Sequence, residues 1–450
     1  MIASTSRTAV RILARSPAAR IASLRSSPPS ACRRIQTHEH RHEPQSQHGP
    51  PPGGEAPTQS GLSMYGIVVA SVLIVAVTPK LLHLYTEITG DGPSSSVPLK
   101  LEPHTHRPLP LVSSTYYPDP STASAHKLLQ IGLPSSTSSS VGISDVKRAL
   151  RIRSVYIKEP SLVIERAYTP LYDTLPGSHS AALVGTATAK EPRVLDLIVK
   201  RYPDGELGKM LHRAVANPTM PQLEVRGPVD TWSFERDSAE TGGVPERIVM
   251  VVGGTGITPA YQLLTNLFGR PGKTAQARMK GAPRIEVLYA TQDLENVLLL
   301  PQLHASVEAN RDKVSVQLFA ERVASPSSLS PGARSALGKG LVVSPSAKAG
   351  GRSWIPFFSS KASSLEPKLE LTSVSSPTTT IPVFESRITQ QHLEKVLTPT
   401  ADGRTLILVS GPDGMVSAMA GPRSRDGQTQ GRLTGILASL NCRHEDVFKL

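Results

Sequence analysis

The chain of 450 residues is poor in cysteine, in aromatic side chains and, over its first 38 positions, in acidic groups. Its two cysteines, Cys32 and Cys442, lie near opposite ends, which argues against an internal disulfide framework. Cys442 has His444 beside it, and His38, His40 and His42 form a small tract among Pro, Gln and Gly. Neither shows the paired ligand spacing of a metal centre, so no metal site is expected. Aromatics at 4% against 40 prolines leave much of the length outside any core. The formal charge of +13 has no basic–aromatic patch to go with it, which argues against nucleic-acid binding.

The charge is concentrated instead. Arg7, Arg11, Arg15, Arg20, Arg25, Arg33 and Arg34 all precede the first acid, Glu39, in a segment rich in Ser and Ala. Arg7, Arg11 and Arg15 share a helical spacing, so residues 1–35 predict a mitochondrial transit peptide, with a disordered basic tail as the alternative. After a Pro-rich linker, 36–60, no charge occurs between Glu55 and Lys80. Residues 61–84 predict a single transmembrane helix, since an apolar run of this length spans about 30 Å of hydrocarbon; a buried core helix is the alternative. A leader on the matrix side would put the rest of the chain in the intermembrane space.

The remaining length suits two folded units. Over 99–240, short alternating runs (Leu128–Ile131, Ile152–Ile157, Leu162–Ala167, Val194–Val199, Leu223–Val225) predict an antiparallel barrel or sandwich. Over 245–450 the texture becomes strand–helix alternation, with buried strands at Ile248–Val252, Ile285–Tyr289, Val314–Phe319 and Leu406–Val409. Helices are predicted at Ala260–Phe268, Leu298–Ala309 and Thr389–Leu397, and the alternation implies a parallel sheet. A Ser/Pro-rich stretch, 323–380, interrupts it and reads as a disordered insertion, with Trp354–Phe358 as an apolar patch inside it.

The most informative stretch is Ile248–Phe268, IVMVVGGTGITPAYQLLTNLF. A buried strand enters a helix through Gly253, Gly254 and Gly256, a loop that brings backbone N–H groups close to an anion. Thr258 suits the N-cap, Pro259 the first turn and Gly269 the stop. Upstream, Arg166-Ala-Tyr168-Thr169 offers a guanidinium for phosphate, a ring for a flat heterocycle and a hydroxyl for a ring nitrogen. Lys200-Arg-Tyr202-Pro-Asp-Gly205 opens a second anion seat, Val225-Arg226-Gly227-Pro228 closes the first unit, and Ser410-Gly411-Pro412-Asp-Gly414-Met415 is a second loop at a strand's carboxyl end, where ligands of open parallel sheets bind.

In this order the motifs resemble the ferredoxin–NADP reductase superfamily, and within it the NADH–cytochrome b5 reductase branch, over roughly residues 99–320 and 381–450. The resemblance implies an FAD-binding barrel at 99–240 and an NAD(P)H-binding domain at 245–450. Arg166 would meet the FAD pyrophosphate, Tyr168 the isoalloxazine and Thr169 its N5, with Lys200, Tyr202, Gly205 and the amide of Gly208 along the ribityl and phosphate region. Gly253, Gly254, Gly256 and Thr258 would seat the nicotinamide nucleotide's phosphates, and Gly411, Pro412 and Met415 its nicotinamide half. Thr169 and Ser410 would flank the reacting atoms. Three positions depart from the pattern: Gly208 stands for Ser, Ser410 for Cys, and Phe448, the terminal aromatic expected against the flavin, is followed by two more residues.

Ala290-Thr291-Gln292-Asp293 lacks a basic cluster, which favours NADH over NADPH. Leader, span and module together resemble the fungal members of this superfamily that sit in the mitochondrial inner membrane and assist haem attachment to cytochrome c. The electron acceptor so implied is haem, a haem lyase or apocytochrome c. A cytochrome b5-type haem protein is the alternative acceptor, and a degenerate flavin-fold scaffold without turnover the alternative from another class.

Overall fold

The computed structural model describes residues 101–121, 123–133, 145–159, 161, 163–175, 193–238, 243–271, 279–338, 340–346, 365–374, 376–398, 403–424 and 429–450. The leader, the linker 36–60, the span at 61–84 and the Trp354–Phe358 patch lie outside the described residues. Among the described residues no helix is long and apolar enough to cross a membrane.

The first sheet holds β1 (Arg107–Tyr117), β2 (His126–Gly132), β3 (Arg151–Glu159), β4 (Ile164–Tyr168), β5 (Val194–Lys200) and β6 (Asn217–Ser233) in the order β4-β3-β6-β1-β2-β5. Every pairing is antiparallel. Alternate residues on these strands (Leu109 and Leu111, Leu129 and Ile131, Leu195 and Leu197, Val155 and Ile157, Leu223 and Val225) meet in one core, as a period of two requires. The hydrogen-bonded order ends on β4 and β5, so the expected barrel is a curled sheet with two edges. The Glu206–Arg213 helix lies against both edge strands, inserting Leu207 and Leu211 into the core. β6 is longer than its sequence suggested because Pro218, Pro221 and Pro228 break its alternation, while bulges let it pair with both β1 and β3.

The second sheet runs β10 (Leu341–Pro345), β11 (Leu369–Ser373), β12 (Thr380–Phe384), β9 (Val314–Ala320), β8 (Arg284–Thr291), β7 (Arg247–Gly253), β13 (Thr405–Ser410), β14 (Val447–Lys449). It is mixed, not purely parallel: β12 through β14 pair in parallel, while β10–β11 and β11–β12 are antiparallel. The antiparallel part comes from the stretch expected to be a disordered insertion. Its described residues form the Pro331–Leu337 helix and the β10–β11 hairpin, which bury Leu337, Val343, Leu369 and Leu371. Low overall periodicity hid these short elements; local apolar residues at alternate positions suffice once β12 offers an edge to extend.

All seven residues of β7 are buried, because the sheet is covered on both faces. Ile248, Met250 and Val252 join the cluster facing the first sheet, and Val249 and Val251 the one on the other side. The former cluster is continuous with Leu150, Ile152, Leu171, Trp232 and Phe234 of the antiparallel lobe, so one apolar seam joins the two sheets.

Candidate functional site

Strand order in the second sheet reverses between β7 and β13. At such a reversal the loops leave the carboxyl ends in opposite directions and open a ligand crevice. The loops at this reversal are Gly253–Thr258 and Ser410–Met415, the two singled out from sequence.

They approach so closely that only glycine fits. A Cβ on Gly256 would lie 2.5 Å from the Ser410 carbonyl oxygen, and one on Gly411 would lie 3.1 Å from the Gly253 nitrogen. By contrast, a Cβ on Gly254 or Gly414 would meet nothing within 4 Å, which leaves room beside the loops for a bound nucleotide. The helix begins at Ile257 with Gly256 as its cap, two residues before the expected cap at Thr258, and has no side-chain capping bond. Thr258 is therefore not the N-cap; its hydroxyl donates to the Thr255 carbonyl. A 3-10 turn over Gly254–Gly256 leads into the helix and takes up the Ile257 amide, which donates to the Gly254 and Thr255 carbonyls. Gly269 ends the helix at φ 79°. Met415 lies against Gly253, and Pro412 caps the exposed start of the Asp413–Ala420 helix.

The flavin motifs fall on the two open edges of the first sheet. β4 ends in Arg166, Ala167 and Tyr168, and β5 ends in Lys200, two residues before Tyr202. Arg166 is exposed and donates to the carbonyl of Glu165. The neighbouring Glu165 carboxylate is taken by Arg226, which forks onto it at 2.9 and 2.6 Å and lies 4.0 Å from the Tyr156 ring centroid. That bond holds Glu165 below the ordinary carboxylate range and leaves the Arg166 charge unopposed by its neighbour. Burial pushes the Tyr168 hydroxyl up to about 12, against the opposing pull of Arg166, so it stays neutral at working pH. Thr169 is held through Ser154, whose hydroxyl lies 3.1 Å from it and 2.7 Å from Thr231.

On the opposite edge, the Lys200 ammonium lies 5.1 Å from the Tyr202 ring centroid, and Tyr202 is half exposed. Gly205 caps the Glu206–Arg213 helix without a side-chain bond, and Gly208 is its third residue, so the Gly208 amide has no intrahelical acceptor. A Cβ on Gly208 would come 3.1 Å from the Lys200 carbonyl, which gives a packing reason for glycine where the related pattern has serine. The cations at Arg166 and Lys200, the first-turn amides at Glu206–Gly208 and the open space at Gly254 fit a flavin diphosphate and a nicotinamide nucleotide.

His126 pairs in register with Lys200 and is 4% exposed. Burial, reinforced by Lys200 and His212, lowers its pKa to about 4. Because the unfolded chain takes up this proton near 6.5 and the folded chain only near 4, stability falls as pH drops through that window. Between pH 6.5 and 5 the loss attributable to His126 is about 2 kcal/mol, at about 1.4 kcal/mol per pH unit. Urea denaturation of wild type and His126→Gln at pH 7 and pH 5 checks this: the substitution should flatten the difference, and an equal acid loss in both proteins would refute it.

Two expectations change. Phe448 does not offer an open face to a flavin: it is 7% exposed, in the seam, with its ring centroid 6.2 Å from that of Trp232. β14 pairs in parallel with β13, and that register turns Phe448 inward. Secondly, a cation does stand beside Gln292 and Asp293. Arg322, from the end of β9, donates through its backbone to Gln292 at 3.0 Å and through its guanidinium to Asp293 at 2.9 Å. Distance along the chain hid it, and the Asp293 carboxylate occupies it.

What unites both sets of motifs is a residue the sequence did not single out. Gln262, on the helix that follows the glycine loop, bonds to the carbonyl of Pro170, immediately after Thr169, at 2.8 Å. Its place among Gln262, Thr265 and Asn266, polar at i, i+3 and i+4 on a buried helix, was a legible signal. β5 also lies against the Gly254–Gly256 turn. Pro170 is thus tied to the helix that carries Gln262, and Ser410 meets Gly256 at the start of the same helix, while Tyr168 packs against the core of the first sheet.

No family model matches the sequence. Among curated proteins the chain is similar to NADH-cytochrome b5 reductase 2 of Scheffersomyces stipitis, 23% identical over 307 residues, 68% of this chain and 74% of that protein. The likeness to NADH-cytochrome b5 reductase 2 of Coccidioides immitis is 23% over 260 residues, 58% of each. Among solved structures, the cytochrome b5 reductase domain of Ulva prolifera nitrate reductase has a TM-score of 0.44 at 18% identity, covering 78% of this chain and 99% of that one. The chain spans 58% to 74% of the length of these two curated relatives, and at low identity its homologues are NADH-cytochrome b5 reductases.

Proposed function

We propose that this protein is an NADH-dependent flavin reductase of the cytochrome b5 reductase type, passing electrons from reduced nicotinamide through FAD to a haem protein. The observation that carries this reading is the meeting of the two glycine loops at the β7–β13 reversal, on a helix whose Gln262 is bonded to Pro170, next to Thr169. When bound, FAD would supply the exchange between two-electron hydride acceptance and one-electron release. The chain's own part is to hold two flat rings face to face and exclude water, for which no general base is needed. Tyr168, neutral through the working range, supplies a ring and a hydroxyl donor without adding negative charge beside the flavin. Arg166 and Lys200 neutralise the diphosphate, and the amides of the Gly254–Gly256 turn receive the nucleotide's phosphates. Asp293, with Arg322 in its grip, disfavours a 2′-phosphate and so supports NADH over NADPH.

The full chain, purified in detergent, tests this directly. A flavin absorbance that bleaches on anaerobic NADH addition is the expected result; a colourless protein even after added FAD leaves the scaffold reading. Arg166→Ala is expected to weaken FAD binding roughly 10- to 100-fold, the loss of a charge-assisted fork worth about 1.5–3 kcal/mol. Full flavin retention would refute its role.

The Arg-rich leader and the charge-free run before Lys80 support a place in the mitochondrial inner membrane with the flavin module facing the intermembrane space. That location favours haem or apocytochrome c in cytochrome c maturation as the particular acceptor. Reduction of haem–apocytochrome c mixtures, against cytochrome b5 as the competing acceptor, separates the two.

A further inference from the structure

We propose that Gln262 is the positioning residue that fixes the nicotinamide loop relative to the flavin strand, and so sets the rate at which hydride crosses between the rings. The inference rests on the flavin-reductase reading of the site and adds a residue to it.

Gln262 is fully buried. Its amide nitrogen donates to the Arg153 carbonyl at 3.0 Å and to the Pro170 carbonyl at 2.8 Å, and its oxygen accepts from the Arg153 amide at 2.7 Å. Pro170 follows Thr169, and Arg153 precedes Ser154, whose hydroxyl holds Thr169. One side chain therefore grips the backbone on both sides of the Ser154–Thr169 pair. On its own helix, Gln262 is six residues from Gly256, about 9 Å at 1.5 Å per residue. A displacement at Gln262 is carried along a rigid helix to the loop that seats the nucleotide.

The apolar part of the seam cannot set this register. Ile152, Leu171 and Trp232 face Ile257, Tyr261 and Leu264 through apolar contact, which is non-directional and tolerates sliding. Hydrogen bonds at 2.7–3.0 Å do not, because they weaken steeply with distance and angle. One further polar group extends the tie along the helix: Asn266 donates to the Arg151 carbonyl at 3.1 Å, whereas the Thr265 hydroxyl bonds within the helix, to the Gln262 carbonyl at 2.9 Å. Hydride transfer is the step most sensitive to such a register, since a misplacement of about 1 Å slows a well-oriented reaction roughly 100-fold.

The test compares the full-length protein with Gln262→Leu, which removes all three bonds at similar volume. Three results are expected together. FAD content per chain and the dissociation constant for NAD⁺ stay within about twofold of wild type. Single-turnover flavin reduction by NADH, per bound flavin, slows by about 30- to 100-fold, with a changed primary isotope effect for 4-deuterated NADH. In flavin-free protein, the Arg153 amide exchanges at least about tenfold faster, a readout independent of turnover, because that amide loses its acceptor.

An unchanged rate per bound flavin in the variant overturns the proposal, as does a rate that falls only in proportion to lost flavin. Wild-type protein whose flavin NADH does not reduce overturns the functional reading and this inference with it, a result distinct from either. Should Gln262→Leu fail to fold, the unbranched Gln262→Met removes the same three bonds. The same slowing of about 30- to 100-fold is then expected, and an unchanged rate per bound flavin overturns the proposal.

Discussion

Arg153→Leu is expected to destabilise the protein by about 3 kcal/mol, the lower end of the range for breaking a buried ion pair. Arg153 and Asp173 are 3% and 1% exposed. The guanidinium Nε contacts both Asp173 oxygens, at 3.1 and 2.9 Å, and a terminal nitrogen also donates to the Leu175 carbonyl at 3.2 Å. Removing the cation strands a carboxylate in an apolar seam, and the penalty comes from that desolvated charge more than from the lost attraction. Arg151, 4.0 Å from the same carboxylate, moderates the loss. Urea denaturation at constant slope measures it. Arg153→Leu combined with Asp173→Leu should recover most of the stability, since no buried charge then remains. A single-variant loss below about 1 kcal/mol would show that the pair is not desolvated as described. The consequence reaches the site, because residues 169–175 lead directly from the flavin strand and Asp173 is their anchor.

Gly256→Ala is expected to weaken nicotinamide-nucleotide binding by more than about 100-fold while leaving flavin content intact, since a near-contact of this kind displaces whole loops. The Gly256 backbone is an ordinary right-handed helical conformation, φ −61°, so alanine suffers no conformational penalty there. The whole effect is steric: the new methyl would sit 2.5 Å from the Ser410 carbonyl oxygen and 2.6 Å from its carbon. Those are backbone atoms of a buried strand end, not a side chain that can swing away. The two loops must part, by an amount that costs about 1–3 kcal/mol of stability. Titration with NAD⁺ and the bound-flavin absorbance read the two effects separately. Wild-type nucleotide affinity in this variant would mean that the loops do not cross where the structure places them. Gly254→Ala provides the contrast, because there the space is open and only the left-handed φ of 54° opposes a side chain.

Much of this site could be read from order and composition. The run Ile248–Val252 is β-branched and charge-free, and such a run followed by three glycines in four positions has few foldings other than a buried strand turning into a helix. Thr389–Leu397 was legible for a similar reason: the structure starts that helix at Gln390 with Thr389 in a capping box. What failed did so where period and partner disagree. β1 has no clean alternation, and β6 carries three prolines, yet both are central, because the bulges that admit their prolines are set by neighbouring strands. The 323–380 stretch looked unable to fold by itself, and its described strands exist as extensions of an edge already formed by β12.

The chemistry-bearing residues were local: Arg166, Tyr168 and Thr169 within four positions, Gly253 to Gly256 within four, Ser410 to Met415 within six. Backbone conformation and side-chain type within such short windows are decided by steric rules and chain connectivity, so the sequence determined them alone. Which windows face each other was decided only by the tertiary structure. The β7–β13 reversal, the Arg153–Asp173 pair, the Arg322–Asp293 contact and the three bonds of Gln262 join residues from 20 to 158 positions apart, as their numbering shows. No local rule carries that information, because it arises when two apolar faces are buried against each other and the few polar groups trapped between them must find partners.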